Sequence, residues 1–125
     1  MASTEYHEPL ELLSPETADM HRALVSAIEE LEAIDWYQQR ADACGDEDLK
    51  AILVHNKREE MEHFLMTLEW IRRKSPDMSE KMKRYLFTTL PITEIEEAEK
   101  AGAETGGAGG GDDSLGLGSL KEGNR

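Results

Sequence analysis

The chain has 125 residues, 27 acidic against 14 basic, with a formal charge of −13 when its four histidines are neutral. That length holds one domain at most, and at 38% hydrophobic and 33% charged residues no apolar run approaches the ~20 residues needed to span a bilayer. An acid excess of this size is repelled by phosphate backbones and favours metal cations as small partners, so no nucleic acid and no membrane are expected as partners. Cys44 is the one cysteine, which excludes an intrachain disulfide and a thiolate zinc site and suits a reducing compartment. Residues 1–13 lack the basic and apolar regions of a secretory signal, and a cytoplasmic location is expected.

Residues 1–13 form an N-terminal arm, followed by a helical domain over 14–99. The first helix starts at Ser14, whose hydroxyl caps the orphan amides, with Pro15 at the first helical position, and runs to about Cys44. Gly45 is expected to take the left-handed position past the helix end, and Asp46 to cap a second helix that opens with Glu47 and Asp48. Arg72, Arg73 and Lys74 complement the negative end of that helix, and Ser75-Pro76 stops it. Each helix is roughly 28 residues, about 42 Å long. The short connection makes them an antiparallel hairpin.

A third, shorter helix is expected over Pro76 to Phe87. Pro91 then breaks the chain before an acidic turn of helix opened by Thr93 and Glu96 as a capping box. Glycine marks the next boundary. Gly45 is the only glycine in the first 101 residues, and the other nine fall between Gly102 and Gly123. Residues 100–111 therefore read as a flexible linker and 112–125 as a terminal peptide.

Chemistry-bearing residues sit on the apolar stripes of the hairpin. In the first helix Ala23, Ala27, Ile34, Tyr37 and Ala41 share a face with Glu30 in its middle. In the second, Leu53, Phe64 and Ile71 form a stripe through Glu60, and His63 follows at i+3, so both side chains project to one point. A buried unpaired carboxylate is costly, whereas a bound cation compensates it. Two-metal carboxylate bundles use one Glu from each of two helices and a Glu-x-x-His from each of the other two. This chain supplies one of each. Two copies about a two-fold axis complete the set, and four carboxylates balance two divalent ions. Donors without thiolate suit iron or manganese, while zinc and calcium bind the same groups. Alone, a Glu-x-x-His on a charged helix is a common coincidence; Glu30 on the facing helix is what gives it weight.

The blocks Glu29-Glu30-Leu31-Glu32-Ala33-Ile34-Asp35-Trp36-Tyr37, His55-Asn56-Lys57-Arg58-Glu59-Glu60-Met61-Glu62-His63 and Thr67-Leu68-Glu69-Trp70 resemble the encapsulated ferritins. The resemblance extends from His7-Glu8-Pro9 to Tyr85-Leu86-Phe87-Thr88 and includes the C-terminal end. It implies an all-α antiparallel hairpin with a short C-terminal helix that dimerises into a ferritin-like four-helix bundle, and a ferroxidase centre of two irons held by Glu30, Glu60 and His63 from two chains. It further implies Trp36 and Tyr37 beside that centre, with Tyr37 among the catalytic residues. Glu29 and Glu32 would form an outer metal site on the approach path, taking calcium, manganese or zinc. The assembly it implies is a decameric ring of dimers enclosed in an encapsulin shell. Asp112-Asp113-Ser114-Leu115-Gly116-Leu117-Gly118-Ser119-Leu120-Lys121 resembles the peptide that directs such cargo to the shell, with Ser114, Leu115, Gly116, Leu117, Gly118, Ser119, Leu120 and Lys121 as its docking residues. Its physics agrees: Leu115, Leu117 and Leu120 are the only large apolar residues after Ile95, spaced by glycines on a tether, a pattern suited to a partner's groove.

The remaining candidates have ordinary readings. His55 lies two turns before His63, roughly 12 Å along the helix, too far to share its metal within one chain. His7 and His21 read as surface residues, Glu59 and Glu62 point away from Glu60, and Cys44 is incidental. Met20, Met61, Met66, Met78 and Met82 read as packing residues. The functional expectation is a ferroxidase that oxidises Fe(II) to Fe(III) as encapsulin cargo for iron storage. The alternative is a non-catalytic helical assembly or adaptor protein that uses the same metal-binding residues to fasten subunits.

Overall fold

A computed structural model of the chain describes residues 5–105, all of them in helices, turns or irregular segments. After a 3-10 turn at Leu10–Leu12 come α1 (Pro15–Ala43), α2 (Glu47–Lys74), α3 (Pro76–Tyr85) and α4 (Ile92–Thr105). The chain divides into two units, residues 1–74 and 75–125, and each is described by itself.

The first unit is the expected hairpin. Thr17 N–H donates to Ser14 Oγ at 3.0 Å, and Pro15 occupies the first turn. Leu49 N–H donates to Asp46 Oδ1 at 2.8 Å, so Asp46 caps α2. The joint between them differs from expectation. Gly45 does not take a left-handed φ; Cys44 is extended at φ −83° and ψ 126°, and its N–H donates to Ala41 O at 3.4 Å. A three-residue connection turns the chain without a left-handed residue.

α1 and α2 pack along a seam of alternating steps of three and four. On α1 it runs Met20, Ala23, Ala27, Glu30, Ile34, Tyr37, Ala41; on α2 it runs Lys50, Leu53, Lys57, Glu60, Phe64, Thr67, Ile71, all of them buried or half-buried. Three alanines, Ala23, Ala27 and Ala41, lie on the α1 side. Yet only Ala27, Ala41 and Ile71 of this unit are buried among the described residues. Large apolar side chains remain outside, including Leu31, Trp36, Ile52, Leu65, Met66 and Trp70. At its C-terminal end α2 is tied by Glu69, which accepts from Arg72 Nε and Nη2 and from Arg73 Nε, each at 2.8 Å.

In the second unit, Met78 N–H donates to Ser75 Oγ at 3.1 Å, so the residue that closes α2 also caps α3. α3 ends at Tyr85, two residues short of Phe87, because Phe87 adopts φ +60°, the left-handed region that breaks a helix. α4 has 14 residues and is longer than the single turn expected. It starts at Ile92, with Glu94 and Ile95 N–H groups donating to Pro91 O, so Thr93 lies inside the helix and does not act as its cap. Ile95 is 7% exposed, and the Arg84 guanidinium of α3 lies 3.3 Å from Glu99 of α4. The helix continues through Gly102 to Thr105, past the compositional boundary near residue 100. The terminal peptide, 112–125, lies outside the described residues.

Candidate metal centre

The seam fixes the register of the ligands. Ala23 and Thr67 line one open groove between α1 and α2, together with Asp19, Arg22, Ser26, Met66 and Trp70. One heptad from Ala23 along α1 is Glu30, and one heptad from Thr67 in the opposite chain direction is Glu60. Both positions therefore fall in the same layer, about 10.5 Å from the groove layer. The neighbouring seam positions are Ala27 and Phe64 on one side, and Ile34 and Lys57 on the other.

Glu30 is the one residue among those described with a buried side-chain oxygen and no hydrogen-bond partner: its Oε1 is enclosed and unpaired. A buried polar atom in this condition costs about 1–3 kcal/mol, so a carboxylate kept there needs a compensating ligand. The chemistry of the donor set fits a hard or borderline divalent cation. Glu60 Oε1 lies 3.6 Å from His63 Nδ1, with the Glu60 side chain 26% exposed and His63 45%. That separation is longer than a hydrogen bond and matches two donors of one ion held at about 2.0–2.2 Å each. Within one chain the structure joins Glu60 to His63. Among the described residues it assembles no group of three ligating side chains.

The other predicted residues are placed around this layer. Tyr37 is half-buried one heptad above Glu30 on the same face, with the Arg40 guanidinium 5.4 Å from its ring centre. Trp36 points about 100° away from Tyr37 and is 49% exposed. Glu29 is exposed and Glu32 half-buried, one turn apart. Glu59 and Glu62 are exposed, as their directions require, and His55 lies 3.8 Å from Glu59 in an i,i+4 pair. His21 is a correction to the sequence reading. It is half-buried, and Tyr6 stacks on it with ring centres 4.0 Å apart and planes at 27°, so the N-terminal arm folds back on α1.

Two residues near the centre escape motif reasoning. Lys57 occupies the seam one turn before Glu60, and its ammonium donates to Gln38 Oε1 across the hairpin. Gln38 in turn donates to Asp42 Oδ1 at 2.9 Å. The three-four spacing that found Glu60 also passes through Lys57, and a cation on that stripe was the available signal.

Comparison with known proteins places the chain in a family. The EncFtn-like family pattern matches residues 5–89. The encapsulated ferritin-like protein of Rhodospirillum rubrum is 54% identical over 126 residues, covering 96% of this chain and 90% of that protein. A ferritin-like protein of Thermotoga maritima is 51% identical over 104 residues, covering 82% and 91%. The encapsulin nanocompartment cargo protein EncC of Myxococcus xanthus is 34% identical over 101 residues, covering 76% of each. Among solved structures, protein ne0167 of Nitrosomonas europaea superposes with a TM-score of 0.68 at 59% identity, covering 70% of this chain and 96% of that one. The seam carrying Glu30 and Glu60, with His63 one turn from Glu60, lies wholly inside the matched region, and the chain belongs to the EncFtn-like family.

Proposed function

We propose that the protein is a ferroxidase: at a centre shared by two copies it oxidises Fe(II) to Fe(III), with dioxygen as electron acceptor, and it serves as cargo of an encapsulin shell. The observation that carries this reading is the enclosed, unpaired Oε1 of Glu30, in the layer of the seam that also holds Glu60 beside His63. Two copies bring two of each residue together. Four carboxylates then offset the charge of two ferrous ions, and an empty layer of acids is strongly repulsive, which couples metal to pairing. Glu30 and Glu60 take and bridge the substrate ions, and one His63 closes each end. Bound there, each Fe(II) gives up one electron to oxygen. Tyr37 stands on the same face to hydrogen-bond a ligating carboxylate, and Trp36 shields the flank. Glu29 and Glu32 form an outer site for incoming cations, with calcium, manganese or zinc among its occupants.

Self-association is supported by the hairpin's thin core. Two helices that bury three side chains and leave Leu31, Trp36, Met66 and Trp70 outside do not supply the apolar burial a stable domain needs. We take the assembly to be a homodimer repeated in a decameric ring. Packaging is assigned to 114–121, and the cargo role finds support in the names of the relatives from R. rubrum and M. xanthus.

The test is to add Fe(II) to metal-free protein and follow oxygen uptake and Fe(III) absorbance together. Turnover beyond the bound stoichiometry is expected. Removing a partner of a metal ligand typically costs 10–100-fold, so loss of a ligand itself in Glu30→Ala, Glu60→Ala or His63→Ala should lower the initial rate by about 100-fold or more. Stoichiometric binding with no accelerated oxidation would instead make the protein a metal-dependent assembly or adaptor protein.

A further inference from the structure

The groove lined by Arg22, Ser26, Met66 and Trp70 holds about 430 Å³ and opens on one side of the hairpin. His63 lies on that same side. Steps of three and four lead from His63 to Met66 and Trp70 on α2, and from Arg22 through Ser26, Glu29 and Ala33 to Trp36 on α1. These two stripes flank the inner seam, so in a four-helix arrangement that takes His63 into its centre they are the faces turned toward the second hairpin. Large apolar side chains stand exposed along them: Met66 is 65% exposed, Trp36 49% and Trp70 36%.

The spacing along the stripes is matched. Trp36 lies six residues past Glu30 on α1, and Met66 lies six residues past Glu60 on α2. Because the helices are antiparallel, the two stand on opposite sides of the acidic layer, each about 9 Å from it. A two-fold axis through that layer and perpendicular to the helices exchanges its two sides. It carries the partner's Trp36 to the level of Met66, between Arg22 and Ser26, at the mouth of the groove. It also brings the partner's Arg40 to within about 2 Å, measured along the helix, of the level of Asp19, the carboxylate at the groove edge that pairs with Arg22. The same axis sets one His63 on each side of the layer. An axis parallel to the helices instead stacks groove on groove and puts both His63 on one side.

We propose that this groove is the seat for Trp36 of a second copy of the chain, a reciprocal pair of anchors that fixes the register in which two hairpins share the acidic layer. This rests on the reading of that layer as a centre shared by two copies. The contact is isologous, so each copy gives one indole and one groove. A tryptophan filling a pocket is the kind of side chain that dominates an interface, and the partner's Arg40 at Asp19 adds charge complementarity. Seated on both sides of the layer, the two indoles oppose the repulsion among the four carboxylates and hold the ligand positions of the two chains in line.

Sedimentation equilibrium of the full-length protein with saturating Zn(II) tests the seat from both sides. Trp36→Ala empties the groove and Ser26→Trp fills it from within, and each should raise the dimer dissociation constant roughly 30-fold or more. In the double variant the ring added at one position takes the place of the ring lost at the other, so it should associate more tightly than either single variant. Losses that simply add in the double variant overturn the proposal, as does unchanged association in Trp36→Ala. A second measurement reads the axis. An equimolar mixture of Ser26→Cys and Trp36→Cys proteins, both carrying Cys44→Ser, should give a disulfide-linked dimer on mild oxidation, since a disulfide needs Cα atoms about 4.4–6.8 Å apart and these positions are about 15 Å apart within one helix. Linkage of each protein alone, with none in excess from the mixture, means that like residues meet, and it overturns the proposal. Wild-type protein that stays monomeric with Zn(II) at every concentration removes the shared centre itself, whereas a dimer weakened by Glu60→Ala and indifferent to Trp36→Ala removes only the seat. Circular dichroism checks that each variant keeps the hairpin, and Trp36→Leu serves if Trp36→Ala does not fold.

Discussion

Glu60 Oε1 and His63 Nδ1 stand 3.6 Å apart, one turn from each other on α2. They are too far apart for a good hydrogen bond, so neither uses up the other's lone pairs, and near enough for one cation to touch both. The facing helix contributes Glu30, whose buried Oε1 has no partner. Chemistry and stability conflict at that atom.

Glu30→Met should expose the conflict. Replacing an enclosed, unpaired carboxylate by an apolar chain of similar length removes a penalty of about 1–3 kcal/mol, so the metal-free variant should unfold at higher urea than wild type. The same change should abolish the gain in melting temperature that divalent metal gives the wild-type protein. A metal-free variant less stable than wild type would mean that Glu30 is paired in solution.

Glu69 makes the next prediction. Hydrogen bonds from Arg72 and then Arg73 pull its carboxyl from the ordinary value near 4.5 down to about 2. Because the folded value lies below the unfolded one, the carboxylate favours the folded state fully above pH ~4.5, and that contribution is lost as pH falls through about 2. Carbon-detected NMR should find Glu69 still ionised at pH 3. Arg72→Met should return the midpoint toward 4.5, Arg73 retaining part of the shift.

Phe87 holds φ +60° while 77% exposed. A left-handed conformation costs a non-glycine residue about 1–2 kcal/mol, and so exposed a ring gains little from packing. Phe87→Gly should therefore stabilise the protein by roughly 0.5–1 kcal/mol after the added freedom of the unfolded chain is counted. Urea denaturation at neutral pH measures it directly.

Deleting residues 112–125 should abolish co-purification with a co-expressed encapsulin shell and leave Fe(II) oxidation unchanged. Packaging of the truncated protein would show that another surface does the docking.

Much of this fold is legible in the sequence because helix ends are written in local chemistry. Ser14, Asp46 and Ser75 cap as their side chains dictate, and Pro15 and Pro76 sit where a missing N–H costs nothing. The errors share one cause. Gly45 permits a left-handed turn without requiring one, Phe87 adopts that turn although its type disfavours it, and Pro91 leaves Thr93 inside α4. In each case the path of the chain overrode the preference of the residue. Glu30, Glu60 and His63 were readable as a pattern because spacing places them on stripes. The unpaired state of Glu30 and the bond from Lys57 to Gln38 were not, since both depend on side-chain positions across two helices.

The three-residue tip, Cys44-Gly45-Asp46, also sets an order of assembly in time. Each layer of the seam closes a longer stretch of chain than the last, from Tyr37 and Leu53 near the tip, through Glu30 and Glu60, to Ala23 and Thr67. Closing entropy rises only slowly with such length, and each step adds to neighbours already in place, so closure outward from the turn is the order of least entropic cost. The two acids are brought together midway, after the layers on the tip side have joined. A nascent chain that has emerged as far as Lys74 already carries Glu30, Glu60 and His63.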